Sequence, residues 1–313
     1  MSDLDLKLKF AMITIKTKLL LKNCEQVIMG RRYIICTSCF VLFICLIAQG
    51  CTNLFFVPMR PHVLTPEAAN LEYEDMYIES SDGVILHAWF LPAITEAKGT
   101  VFFLHGNAQN ISTHLGSVYW LPAEGFNVLI WDYRGFGKSA GEPSFPGVIY
   151  DVESALSALI ERRDIDPSKV IVFGQSLGGA LAIYAVAHSA HRDNIKAVII
   201  DSAFSGYRAI AREKLSDIWL TWPLQWPLSL LFMDSYNPLE SIAVVSPLPT
   251  LFIYSENDKV IPAHHGELLF KAAKEPKEKW VLKTEKHIQS TNSQAIRKRL
   301  VKYMERKLKI DSE

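Results

Sequence analysis

The stretch that most constrains the fold is residues 170–179, VIVFGQSLGG. A β-branched apolar segment passes through Gly-x-Ser-x-Gly into a second apolar segment, which predicts a strand, a tight turn and a helix. Glycine at positions 174 and 178 permits the close backbone approach that such a turn requires. Ser176, at the centre of the turn, would stand above the sheet edge, beside helix N–H groups that can stabilise an anion. We therefore predict that Ser176 is a nucleophile rather than a structural serine.

Apolar segments of strand length alternate with helical segments over residues 71–313. This alternation predicts an α/β fold in one domain, with a mostly parallel sheet and helices on both faces. An antiparallel N-terminal hairpin is predicted where two alternating segments flank the turn sequence SSDG. The predicted strands are 71–78, 84–91, 100–105, 128–132, 170–173, 197–201, 250–254 and 280–284, and the predicted helices are 111–124, 145–163, 177–189, 264–274 and 290–308.

One segment, residues 206–236, departs from this alternation. It carries Trp219, Trp222 and Trp226, and two prolines interrupt any long helix. Because so many large apolar residues exceed what a surface connection needs, we predict a small apolar cap. Such a cap would line an acyl pocket or touch a lipid surface. A pair of core helices is the alternative.

The N-terminal residues differ from the rest in composition. All five cysteines lie within residues 1–51, so the remainder can carry neither a disulfide nor a thiolate nucleophile. Two arginines precede an apolar run at 33–48, and the run ends in Gln-Gly-Cys51, which resembles a bacterial lipoprotein signal. We predict a signal sequence or membrane anchor over 1–51, with Cys51 as the lipidation site, and a tether over 52–70.

This N-terminal pattern leaves alternatives open. An uncleaved signal anchor and a buried helix are the other interpretations of the apolar run. Either form of membrane attachment predicts an exported, membrane-associated protein, which would face the periplasm if it is a bacterial lipoprotein.

Charge and the remaining motifs argue against other functions. The chain has 33 basic and 33 acidic residues, so it offers no basic field for nucleic acid. GFGKS at 135–139 loosely resembles a phosphate-binding loop, but Asp132 occupies the first glycine position and prolines follow where a helix should begin. With no His-x-x-x-His and no cysteine pair in the domain, we expect neither a metal nor a cofactor.

A serine nucleophile needs a base that removes its proton and an acid that orients the base. Asp258 follows a predicted buried strand, and His287 follows the last predicted strand. Because loops at the carboxyl ends of parallel strands meet at one edge, both would lie beside Ser176. We predict His287 as the base and Asp258 as the acid. Asp201, at the end of the strand after Ser176, is the main alternative acid, and Glu256 is a weaker one.

Two backbone N–H groups are expected to hold the oxyanion. One is that of Leu177, the first residue of the helix after Ser176. The second should come from the loop HGNAQN at 105–110, where Asn107 or Ala108 would face the nucleophile. Donors of this kind contribute roughly 3 kcal/mol each to transition-state stabilisation.

Together these motifs resemble the α/β-hydrolase superfamily from about residue 71 to the end. The resemblance is carried by HGNA at 105–108, DYRGFGKSAG at 132–141, GQSLGG at 174–179 and the loops of Asp258 and His287. It is to the branch of acyl-thioesterase-like and lysophospholipase-like hydrolases, also known as serine-aminopeptidase-like. The chain departs from many relatives in having Glu-Lys rather than glycines before His287.

This resemblance implies cofactor-free hydrolysis of a carboxylic ester or thioester through an acyl-enzyme. The apolar cap and the predicted anchor favour a lipidic or acyl-chain substrate. A serine peptidase is the alternative, because its triad chemistry is the same. A non-catalytic, membrane-tethered binding module on this fold is the alternative from another class, and a cofactor-free haloperoxidase or lyase is a third.

Overall fold

The fold is built on one large sheet. The computed structural model describes residues 55–232 and 234–309. The strands in chain order are β1 (Val57–Pro58), β2 (Glu74–Glu79), β3 (Ile85–Leu91), β4 (Gly99–Leu104), β5 (Ala108–Gln109), β6 (Phe126–Trp131), β7 (Val170–Gln175), β8 (Ile195–Asp201), β9 (Thr250–Ser255) and β10 (Lys277–Leu282). Among the described residues, eight strands form the sheet in the order β10-β9-β8-β7-β4-β6-β3-β2.

The sheet is mostly parallel. β3 is antiparallel to both β2 and β6, whereas the pairs from β6 to β10 are parallel. The central parallel strands β4, β6, β7 and β9 are buried at every residue, as expected for strands covered on both faces. The predicted mostly parallel sheet with an antiparallel N-terminal hairpin is confirmed.

Helices cover both faces of the sheet. They are α1 (Ile111–His114), α2 (Gly147–Ile160), α3 (Leu177–His188), α4 (Tyr207–Ser216), α5 (Gln225–Ser229), α6 (Pro238–Val245), α7 (Ala263–Ala272) and α8 (Gln294–Leu308). Within β4, Phe102 and Leu104 pack into a core cluster with α2 and α3. The intervening Phe103 packs into the opposite cluster with α8. This alternation of side chains gives the sheet one apolar core on each face.

Two predicted helices differ from the structure by more than three residues at one end. The helix predicted over 111–124 is wrong, because only the four residues of α1 are α-helical and 3₁₀ turns follow at Leu115–Ser117 and Pro122–Glu124. Gly116 and Pro122 fall inside that range and disfavour a continuous helix. The helix predicted over 290–308 begins instead at Gln294, where the Ser293 side chain accepts a hydrogen bond from the Ile296 amide.

Part of the segment predicted as a tether over 52–70 packs against the domain. Residues 55–64, here called the strap, pack along the domain, where β1 pairs in parallel with β5. The Asn110 side chain donates hydrogen bonds of 2.8 Å to the carbonyls of Met59 and Pro61. Phe55 lies edge-on to Tyr207, with ring centroids 5.2 Å apart. The strap is thus held by backbone pairing, side-chain amides and aromatic contacts.

The predicted signal over 1–51, and Cys51 with it, lies outside the described residues. Within 55–232 and 234–309, none of the helices combines the length and the hydrophobicity needed to cross a bilayer.

A buried ion pair joins the loop after β6 to α2. Arg134 Nη2 lies 2.7 Å from Asp151 Oδ1, and the Arg134 backbone N–H donates to Asp151 Oδ2 at 3.0 Å. The side chains are 6% and 0% exposed. On its outer side the same guanidinium donates to Asp82, whose side chain is 36% exposed.

Asp151→Ala is expected to lower the free energy of unfolding by about 3–5 kcal/mol, because it leaves a buried guanidinium without its inner partner. Urea denaturation of the full-length chain measures this loss. Asp82→Ala is the matched control, and its more exposed carboxylate should cost less than about 1 kcal/mol. Equal losses in the two variants would show that the inner pair has no special role.

Candidate active site

Ser176 lies in the sharp turn between β7 and α3. Its φ of +54° and ψ of −117° place a non-glycine residue in a rarely populated region. A Cβ atom at Gly174 would lie 2.4 Å from the Gly178 carbonyl oxygen, and one at Gly178 would lie 2.2 Å from the Leu104 carbonyl oxygen. Glycine is therefore required at both positions, and the turn holds the serine side chain at the carboxyl end of the sheet.

The structure brings the three predicted triad residues together. His287 Nε2 lies 3.0 Å from Ser176 Oγ, and His287 Nδ1 lies 2.8 Å from Asp258 Oδ2. The other oxygen of Asp258 accepts backbone N–H groups from Val260 at 2.8 Å and Ile261 at 2.9 Å. These contacts fix the carboxylate so that it faces the imidazole.

The electrostatics of Asp258 favour its charged form. Burial alone would raise its pKa, but the hydrogen bond from His287 and the two backbone amides outweigh burial and leave the pKa below its usual range. An ionised carboxylate only accepts hydrogen bonds, so His287 Nδ1 carries a proton. In the neutral imidazole the lone pair is then on Nε2, which faces the Ser176 hydroxyl.

The alternative acid, Asp201, has different partners. Its Oδ2 accepts hydrogen bonds from the Gln175 side chain at 2.9 Å and from Ser290 Oγ at 2.6 Å. Burial raises its pKa in spite of these bonds. Its backbone carbonyl accepts the Ser176 amide at 2.9 Å. Asp201 therefore connects the nucleophile turn to the segment that follows His287, and it does not hydrogen-bond the imidazole.

Both predicted oxyanion donors border the same cavity as Ser176. Leu177 is the first residue of α3, and Asn107 lies in the loop after β4. The Asn107 side-chain oxygen accepts the Val57 amide at 3.1 Å, so the strap supports this loop. Ala108, the alternative donor, lines the cavity too. His105 is fully buried against Tyr133, and burial lowers its pKa well below the usual value, so it stays neutral.

The cavity has a volume of about 410 Å³ and mostly apolar walls. Of the described residues that line it, none is acidic. The apolar lining residues include Phe55, Leu177, Phe204, Ile210, Val260, Ile261 and Ile288. Sequence reasoning missed Phe55, and the signal that could have found it is the apolar run LFFV at 54–57, with two adjacent aromatic residues, inside the segment predicted as a tether.

The segment predicted as a cap, residues 206–236, lies partly over this cavity. Ile210 of α4 lines the cavity, but the three tryptophans do not. Trp219 is 85% exposed, and the segment forms short helices rather than a pair of core helices. The exposed apolar residues of the segment, here called the tryptophan face, are Ile218, Trp219, Leu220, Trp222, Leu224, Trp226 and Leu230.

Solved structures share this fold. The Pyrococcus furiosus esterase Pf2001 superposes with a TM-score of 0.63 at 23% identity, covering 82% of this chain and 97% of that one. Acetyl xylan esterase 1 from Thermoanaerobacterium sp. JW/SL YS485 superposes with a TM-score of 0.59 at 16% identity, covering 80% and 86%. At these identities the likeness establishes the fold alone.

Sequence comparisons establish the family. The family model described as serine aminopeptidase, S33, matches residues 95–237. The uncharacterized protein YfhR of Escherichia coli O157:H7 is 38% identical over 255 residues, which cover 80% of this chain and 85% of that protein. The alpha/beta hydrolase domain-containing protein WAV2 of Arabidopsis thaliana is 36% identical over 234 residues, which cover 71% and 75%. With this identity over most of its length, and with the fold described above, the chain belongs to the α/β-hydrolase superfamily.

Proposed function

We propose that this protein is a serine hydrolase that cleaves carboxylic ester or thioester bonds of acyl substrates. The observation that carries the proposal is the hydrogen-bonded series Ser176, His287 and Asp258 beside an apolar cavity. A hydroxyl, an imidazole and a carboxylate in this order provide a nucleophile, a base and an orienting acid. Membership of the α/β-hydrolase superfamily supports hydrolysis, and the esterases among the solved neighbours support an ester bond.

In the first half of the reaction, Ser176 Oγ attacks the acyl carbonyl carbon while His287 Nε2 takes the hydroxyl proton. The resulting oxyanion is held by the backbone N–H groups of Leu177 and Asn107. The imidazolium then gives its proton to the leaving oxygen or sulfur, and the alcohol or thiol departs. Asp258 stabilises the imidazolium throughout, and an acyl-serine remains.

In the second half of the reaction, water replaces the alcohol or thiol. His287 removes a proton from the water as it attacks the acyl-serine carbonyl, and the same two amides hold the second oxyanion. Collapse of this intermediate returns the proton to Ser176 Oγ and releases a carboxylic acid. No step requires a cofactor.

Peptide hydrolysis is the second candidate, and the description of the matching family model favours it. An aminopeptidase has to bind a free α-ammonium group, for which a carboxylate at the pocket is the natural partner. None of the described lining residues is acidic, and Lys214 adds a positive charge to the wall. The charge and the apolar walls of this cavity therefore support an acyl chain over a peptide N-terminus.

The tryptophan face supports a lipid surface as the source of that substrate. Trp219, Trp222 and Trp226 are 85%, 60% and 65% exposed, and Arg212 lies over the Trp226 ring at 4.2 Å. Exposed tryptophans beside a cation are typical of surfaces that contact the interface of a bilayer. We propose that this face touches the membrane and that the predicted N-terminal anchor keeps it there.

A fluorophosphonate probe tests the proposed chemistry on the full-length chain in detergent. Covalent labelling that the variant Ser176→Ala abolishes would support an activated serine. A series of p-nitrophenyl esters and the matching thioesters, together with aminoacyl-p-nitroanilides, would then identify the bond and the chain length. A folded chain that takes no label with or without added lipid would contradict the hydrolase proposal and favour a non-catalytic binding module.

The double variant Trp219→Ser/Trp222→Ser is expected to lower the turnover of p-nitrophenyl palmitate in mixed phospholipid micelles by about tenfold or more, because each exposed indole adds apolar area to the lipid contact. Turnover of soluble p-nitrophenyl acetate should be unchanged. The matched control is Ile94→Ser/Val281→Ser, which removes two exposed apolar side chains outside the cap. An equal loss on both substrates would contradict a role in surface contact.

A further inference from the structure

A cluster of buried polar side chains lies outside the proposed active site. His62 belongs to the strap, His87 to β3, and Asp132 directly follows β6. One potential ligand atom from each of the three lies within 4.8 Å of the others. The side chains of His87 and Asp132 are 0% exposed, and that of His62 is 9% exposed. Three segments far apart in sequence therefore place polar groups at one buried point.

Several polar atoms of this cluster lack a hydrogen-bond partner in the part of the chain that the structure describes. Among the described residues, Asp132 Oδ2, His87 Nδ1 and both ring nitrogens of His62 have no hydrogen-bond partner. A buried polar group without a partner is costly, and a buried carboxylate more so. Several such atoms in one small buried cluster indicate a partner from outside the protein.

The outer contacts of the cluster orient its lone pairs inward. His87 Nε2 lies 2.7 Å from Asp75 Oδ1, and an ionised carboxylate only accepts, so Nε2 carries the proton and Nδ1 the lone pair. Carboxylates hold metal-binding histidines in this way. Asp132 Oδ1 already accepts the Ile111 amide at 2.9 Å, which leaves Oδ2 for the cluster.

The room beside Gly137 and the distance between the candidate ligand atoms both suit a metal ion. A Cβ atom at Gly137 would lie 2.0 Å from Asp132 Oδ2 and 2.8 Å from His62 Nε2, so the glycine leaves room beside both atoms. His62 Nε2 and Asp132 Oδ2 are 3.5 Å apart, too far for a good hydrogen bond. Two ligands at about 2.0–2.1 Å from a tetrahedral ion are separated by roughly 3.3 Å.

We propose that His62, His87 and Asp132 bind a divalent transition-metal ion of the Zn²⁺ type, with Asp75 as a positioning residue. Two imidazoles and one carboxylate are a donor set that suits Zn²⁺, and water would complete the tetrahedron. Since Asp132 also holds the Ile111 amide, the ion would fix the strap against the segment that follows the oxyanion loop. The role is structural, and it does not depend on the proposed ester chemistry.

Metal titration of the full-length chain in detergent, stripped with a chelator, tests the site. We expect one tight equivalent of Zn²⁺, a visible absorption band of tetrahedral Co²⁺, and a rise in Tm of roughly 5 °C at saturating Zn²⁺. His62→Gln and His87→Gln should each weaken binding by about 100-fold or more, and Asp75→Asn by about 10- to 100-fold. Circular dichroism of each stripped variant checks that it is folded.

His264→Gln is the matched control, because His264 belongs to a second group with Glu213 and His265. This variant should keep the tight equivalent. The proposal is overturned if the folded, stripped chain binds no stoichiometric metal, which would leave Asp132 paired with His62 or with a buried water. It is equally overturned if binding survives both His62→Gln and His87→Gln, or if His264→Gln removes it.

Discussion

Ser176→Ala is expected to lower kcat for ester hydrolysis on the order of 10⁶-fold. Removal of Oγ eliminates the attacking atom, and the oxyanion donors and the binding cavity alone give a residual acceleration over water of about 10³- to 10⁴-fold. Steady-state hydrolysis of p-nitrophenyl butyrate by the full-length chain in detergent measures the loss. KM should change little, because the cavity walls remain.

A buried serine outside the triad provides the control for this prediction. Ser205 is 3% exposed and contacts His265 rather than His287. Ser205→Ala should therefore keep kcat within about threefold, whatever it does to stability, because a surface or structural substitution away from the reacting atoms leaves the transition state unaffected. Substantial activity in Ser176→Ala with every other residue intact would mean that another group is the nucleophile.

The sequence predicted the structure correctly where the physical constraint involves only neighbouring residues. The glycines at 174 and 178 have no room for a side chain in the structure, so the Gly-x-Ser-x-Gly pattern determines the turn almost by itself. The central strands are buried on both faces, and their continuous apolar runs predict this directly. The positions of Asp258 and His287 followed from one further rule, that loops at the carboxyl ends of parallel strands share an edge.

The strap could not be predicted in this way, because its structure depends on partners distant in sequence. The two-residue strand β1 pairs with β5, and the Asn110 side chain donates hydrogen bonds to two carbonyls of the strap. No periodicity arises from so short a strand. The apolar character of Phe55 is visible in the sequence, but its position beside Ser176 depends on these distant partners.

The proposed metal site shows the same limitation in chemical terms. A search for metal ligands in sequence relies on short spacings such as His-x-x-x-His, which place two ligands on one helix face. Here His62, His87 and Asp132 lie on three separate segments, and only the sheet and the strap bring them within reach of one another. The expectation of no metal rested on local spacing, which carries no information about such a site.

For the cap segment, the sequence did not show which residues are exposed. Its tryptophans identified an unusual apolar excursion, but composition alone does not tell which face of it is exposed. In the structure Ile210 lines the cavity while Trp219 is exposed to solvent. The segment was predicted to line an acyl pocket or to touch a lipid surface. Its inner face lines the cavity, and its outer face, which carries the tryptophans, is the one available for a lipid surface.

Asp258→Asn is expected to lower kcat by about 10⁴-fold and so to distinguish the two candidate acids. The amide preserves the shape of the side chain but removes the negative charge, and it can donate a hydrogen bond to Nδ1. His287 would then carry its proton on Nε2, facing Ser176, where it cannot accept the hydroxyl proton. The pre-steady-state burst and kcat with p-nitrophenyl butyrate measure the effect.

Asp201→Asn is the matched comparison, since it makes the same chemical change in a carboxylate that is buried close by. Asp201 accepts hydrogen bonds from Gln175 and Ser290 but none from the imidazole, so its neutral amide should reduce kcat by less than about tenfold. The substitution should act mainly by lowering Tm, because Asp201 holds two loops together and does not contact a reacting atom. A loss of 10⁴-fold in Asp201→Asn with near-normal activity in Asp258→Asn would reverse the assignment of the acid.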